Sequence, residues 1–165
     1  MTGQLETSAR RYEKLAKDER LSGRDRARAL LWVGTALSKN GNNAAAIEVM
    51  TTAAREFEDL AEPEDWCVAH QKIALAHRGI GDLVQAARHI EIARSAATAD
   101  SPLHRVRLDT AHGHILLSDE ATRDYGQSVL DGAAQVAGRY GLGHQLRSIE
   151  GIRRSYGEPS SASTK

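Results

Sequence analysis

The stretch from Leu30 to Ala53 constrains this chain most, because it makes two helices that cannot bury their own apolar faces. Leu30, Val33, Gly34 and Leu37 form a helical stripe, with a small residue where two backbones approach closely. Gly41-Asn42 interrupts that helix, and Ala46, Met50 and Ala53 form a second stripe at i, i+4, i+7. Such a hairpin needs copies stacked beside it, and the chain supplies them. Gly41-Asn42 returns 40 residues later as Gly81-Asp82, and more weakly as Ser118-Asp119. Ile73 and Ala74 stand where Val33 and Gly34 stood, followed by Ala86, Ile90 and Ala93. In the third copy the match is Thr110 and Ala111, and after its turn the register slips by three residues to Gly126, Leu130 and Ala133. Pro63 and Pro102, 39 residues apart, open successive units from the first turn of a helix.

These motifs resemble the tetratricopeptide repeat (TPR) family, over about residues 27 to 140. The resemblance implies an all-α fold, a right-handed α-solenoid of antiparallel helix pairs with about seven helices and a C-terminal capping helix. Its units fall at 27–62, 63–101 and 102–140, with a cap at 142–156, in a single domain spanning 1–156. The units exceed the ~34 residues usual for the family. Leu37 is replaced by His77 and then His114, and Leu30 by His70 and then Arg107. A helix over 4–19, bearing Leu5, Ala9, Tyr12, Leu15 and Ala16, reads as the second helix of a unit whose first is missing, as if from a longer chain. Further helices are expected over about 23–39, 43–60, 63–79, 82–97, 102–117, 120–139 and 143–155. Residues 157–165 have no apolar anchor and are expected to be disordered.

Composition narrows the function classes. Lys+Arg and Asp+Glu are both 22 in 165 residues, so the basic excess of a non-specific nucleic-acid binder is absent. Aromatics make up only 4%, which suits close helix packing. The single cysteine, Cys67, allows no intrachain disulfide and suits a reducing compartment. The N-terminus has no apolar signal core and no apolar run approaches the ~20 residues of a membrane span. A cytoplasmic protein is expected.

No nucleophile elbow, phosphate-cradling loop or dinucleotide fingerprint is present, so neither catalysis nor a cofactor is expected. His112 and His114 point to nearly opposite sides of a helix and cannot share a metal. Cys67 and His70, at i and i+3, could touch but lack a second ligand pair. No metal site is predicted. His77 and His114, read as equivalent positions, are expected to pack as half-buried rings, with a pH-sensitive seam as the sharper alternative.

The concave side of a stacked array is lined by the first helix of each unit. It is expected to carry Arg28, Leu31, Thr35 and Ser38, then Gln71, Leu75 and Arg78, then Arg105, Leu108 and His112. Apolar spots flanked by arginine suit an extended or helical peptide, including an acidic one. TPR proteins that clamp a peptide carboxylate use a Lys and Asn set, which Gln71 and Arg78 do not reproduce. The expected function is non-catalytic binding of a protein or peptide partner. The Arg/Ala-rich helices and the HQLRSIEGIRR stretch are similar to TPR arrays of helix-turn-helix regulators of high-GC Gram-positive bacteria. That implies the sensor part of a bacterial transcription regulator, with no direct nucleic-acid binding by this chain. The alternatives are a small-molecule or metal-sensing helical module, and a structural subunit forming a homodimer through its N-terminal helix.

Overall fold

The structure is a computed structural model, and it describes residues 2–96 and 101–157. Of the tail expected to be disordered, 157–165, Gly157 ends the last helix, and 158–165 lie outside the described residues, as do residues 97–100 after the fifth helix. All regular structure among the described residues is helical. The helices are α1 (Thr2–Ala16), α2 (Gly23–Lys39), α3 (Asn43–Asp59), α4 (Pro63–Gly79), α5 (Leu83–Arg94), α6 (Pro102–Leu117), α7 (Arg123–Arg139) and α8 (Gly143–Gly157). Within the stretch read from sequence as one domain, the chain divides into two compact units, Met1–Asp100 and Ser101–Lys165.

Side chains cap three of the helix starts. The Ser22 hydroxyl accepts the Asp25 N–H at 3.1 Å, the Asp82 carboxylate accepts Gln85 N–H at 3.1 Å, and Ser101 accepts His104 N–H at 3.2 Å. Each side chain satisfies one of the unpaired donors of a helix start. Pro63 and Pro102 occupy the first turns of α4 and α6. The stops share one geometry. Asn42 donates its N–H to Leu37 O at 2.9 Å, Asp82 to His77 O at 3.0 Å, and Glu62 to Phe57 O at 2.9 Å. This six-to-one bond requires a left-handed residue just before the donor. Gly41 (φ 83°) and Gly81 (φ 80°) supply it between α2 and α3 and between α4 and α5. Between α3 and α4 the same place is held by Ala61 at φ 54°.

In the first unit α1, α2, α3, α4 and α5 pack each on the next, and α2 also touches α4. Ala27 and Leu31 of α2, Met50, Ala53 and Phe57 of α3, and Ala69, Ile73 and Ala76 of α4 form one core. Consecutive helix pairs packed in this way are the expected repeat arrangement. In the second unit α6 packs on α7, and α8 packs on both. Ile149 of α8 is fully buried with Val106, Leu117, Leu130 and Ala133, while Arg147 and Arg154 stay exposed, so α8 caps this pair with a polar outer side.

The third helix pair corrects the sequence alignment. Gly113, not Ala111, faces Gly126 and Leu130, as Gly34 faces Ala46 and Met50. The register slip is therefore one residue, not three, and it is absorbed in the α6–α7 turn. There Asp119 accepts the Ala121 N–H, and a short 3-10 turn over Glu120–Thr122 precedes α7. In this alignment Leu116, not His114, stands at the place of Leu37 and His77.

Candidate functional site

The surface shared by α2 and α4 brings together residues of four helices. At one end, Arg24 and Arg28 donate from Nε to the two oxygens of Asp65, each at 2.9 Å, and Arg24 also lies 3.3 Å from Glu62. The sequence reading placed Arg28 in the groove. The structure joins it to Asp65 in a clasp between α2 and α4. Beside it Trp32 is 46% exposed, although it is the largest side chain of α2. Its ring stacks on Tyr12 of α1 at 6.1 Å, and Lys72 Nζ of α4 lies 5.0 Å from its centroid, in reach of the ring's negative face. At the other end Thr35, Ser38, Lys39, Met50, Lys72 and Leu75 line a recess of about 160 Å³.

Of the predicted residues in this unit, the structure thus brings Thr35, Ser38 and Leu75 to one recess. Leu31 is 4% exposed and belongs to the core. Thr35 is largely buried, its hydroxyl donating to Leu31 O at 2.9 Å. Gln71 and Arg78 are half-buried. The accessible stripe of α2 runs through Arg28, Trp32 and Lys39, rotated from the predicted Leu31 and Ser38 direction. Sequence reasoning missed Trp32, Tyr12 and Lys72. The i+4 step from Arg28 to Trp32 was the available signal, and the preference for apolar residues as core concealed it.

In the second unit Arg105 is exposed, Leu108 is buried and His112 is half-buried, its ring edge-on to Tyr125 of α7 at 6.2 Å. The corrected alignment puts Arg107, Thr110 and His114, two residues further along α6, at the places of Arg28, Leu31 and Thr35. A two-residue offset turns a helix face by about 200°, so the predicted third set does not continue the first.

No family model, curated protein or solved structure matches this chain. The site is therefore interpreted from its own chemistry.

His112 and His114 fall in separate environments. His114 meets Tyr156 of α8 edge-on at 6.1 Å, away from His112 and its tyrosine. Cys67 and His70 engage different partners: the Cys67 thiol donates to Ala93 O at 3.5 Å, and burial pushes the thiol up from its ordinary value. His70 turns to His89 of α5. Among the described residues no group of three or more His, Cys, Asp or Glu is arranged to hold a metal ion. Nor is any of their helices long and apolar enough to cross a membrane. A larger apolar recess of about 360 Å³ lies at the α3–α4 turn, lined by Phe57, Ala61, Pro63 and Trp66 among others. Glu58 and Glu62 also line it, and it contains none of the groove residues expected from the sequence.

Proposed function

We propose that the chain is a TPR-type module that binds a protein or peptide on the α2–α4 face of its first unit, without catalysis. The observation that carries this reading is Trp32. A tryptophan left nearly half exposed on a helix, flanked by Tyr12 and Lys72, is the kind of rigid, large contact that dominates interface energetics. The recess beside it offers Leu75 and Met50 as an apolar floor, with Lys39 and Lys72 at its edge. Arginine at the far end is engaged by Asp65 and Glu62, and the exposed Lys39 adds positive charge at the recess. The favoured ligand is a segment with one bulky apolar side chain followed by a carboxylate. The resemblance to regulator arrays supports placing this binding in the sensing of a bacterial transcription regulator, in a cytoplasmic setting.

Selection from a random peptide library on the immobilised chain tests the proposal. Enrichment of peptides pairing an apolar side chain with an acidic one, lost on Leu75→Glu, is the expected result. Peptides retained by Leu75→Glu, or no enrichment, would refute it. In the absence of enrichment, self-association through α1 becomes the better account. Leu15 of α1 is 42% exposed, but Tyr12 is committed to Trp32.

A further inference from the structure

Three of the seven histidines meet between α4 and α5, and the binding reading above uses none of them. His70 and His77 stand two turns apart on α4, and His89 of α5 enters between them. Its ring stacks on His70 at 5.1 Å with 19° between planes, and on His77 at 5.3 Å with 14°. The Nδ1 atoms of His70 and His89 are 2.9 Å apart. One of them must donate and the other accept, so the bond exists only while at least one ring is neutral. Two imidazolium rings would set two N–H groups head to head. Trp66 closes the outer side, edge-on to His70 at 4.6 Å, and His77 Nδ1 is buried with no hydrogen-bond partner.

The surroundings favour neutral rings. From α5, Arg88 faces His89, and Asp82 lies 3.9 Å from His77. α3 presents the uncharged Ala53, Ala54 and Phe57 to the α4 core. The charges shared with α2, Arg24 and Arg28 on Asp65 and Lys72 over Trp32, lie on another face of α4. Asp65 is about 140° round the helix from His70.

We propose that the His70–His89–His77 stack is an acid-opened clasp, whose neutral rings hold α5 on α4 and whose protonation parts the two helices. The sign follows from the rings' environments. Burial, then the neighbouring His89, pulls His70 from 6.5 down to about 4. Burial, then His77 and Arg88, lowers His89. Burial lowers His77 too, against the opposing pull of Asp82. Rings that bind protons less readily folded than unfolded stabilise the fold fully above pH 6.5, and lose that contribution as pH falls towards 4. Asp82 limits the share of His77, so His70 and His89 carry the effect. Opening exposes the buried face of α5, Ala86, Ile90 and Ala93.

Amide hydrogen exchange on the whole chain at pH 7.0 and pH 5.0, corrected for intrinsic exchange, tests the clasp. Protection over Leu83–Arg94 should fall at least about tenfold more than protection over α3, and His70→Gln/His89→Gln should abolish the excess. An equal fall in α3 and α5, or an excess that persists in the variant, would overturn it. If the variant does not fold, ring titration of the wild-type chain by NMR decides. His70 and His89 titrating well below 6.5, with α5 protection falling from pH 6.5 downward, supports the clasp, and ordinary titration overturns it.

Discussion

The α2–α3 and α6–α7 crossings share one glycine position, Gly34 in the first and Gly113 in the second, but Gly126 of α7 stands where α3 has Ala46, and the two resist change differently. In the first, a Cβ on Gly34 would fall on the Met50 side chain, with the Ala46 carbonyl at 3.3 Å. In the second, a Cβ on Gly126 would meet Leu117 N and Leu116 Cβ at 3.0 Å and Gly113 O at 3.1 Å. A Cβ at Gly113 would meet the Leu130 side chain at 2.7 Å, as one at Gly34 meets Met50, whereas at Gly126 it meets mainly backbone. A side chain can turn aside at some cost in packing, whereas two helices can separate only by loosening every contact along their seam. Where small residues face each other, helix position is fixed by the chain itself. Where a small residue faces a long one, the pair shares the fit and can drift together.

The largest effect is expected at the backbone crossing. Gly126→Ala should lower the stability of the second unit by about 2–3 kcal/mol in urea unfolding, since overpacking here has no flexible neighbour to absorb it. A loss no greater than that of Gly34→Ala would break the comparison. Gly34→Ala should cost about 1 kcal/mol, because better helix propensity offsets part of the clash. Its cost should shrink by about 1 kcal/mol in a Met50→Ala background. Strict additivity of the two changes would show that Met50 is not the obstacle.

The smallest effect lies in the turns. Ala61→Gly should stabilise the chain by about 0.5–1 kcal/mol, and Gly41→Ala should destabilise it by a similar amount. The two sites share one bond pattern, and only the residue with positive φ differs. Thermal melts of the two variants moving in the same direction would contradict that account.

Much of this was legible in the sequence. The helix bounds followed from Gly41, Gly81, Pro63 and Pro102, because these residues act through their own backbone and need no distant partner. α8 as a cap followed from its apolar stripe. The third pair misled because Ala111 and Gly113 are both small, and only the facing Leu130 shows which one takes the crossing. That two-residue error carried Arg105, Leu108 and His112 off the intended face and made His77 and His114 look equivalent. Trp32 and the His70–His89 contact were hidden for another reason. Both depend on which residues of a neighbouring helix lie opposite, and periodicity along one helix does not report that.

The two units also differ in the aromatic surface they offer. Trp32 is bracketed by Tyr12 and Lys72 next to a recess, while Tyr125, 60% exposed, touches only the edge of His112 among the ring contacts described. The most direct test of the account is the affinity of a library-selected peptide for the Trp32→Ala and Tyr125→Ala variants, measured by calorimetry. Binding at the α2–α4 face predicts at least a tenfold loss for Trp32→Ala, about 1.4 kcal/mol or more, and no change for Tyr125→Ala. Undiminished binding by Trp32→Ala, or a loss confined to Tyr125→Ala, would contradict it.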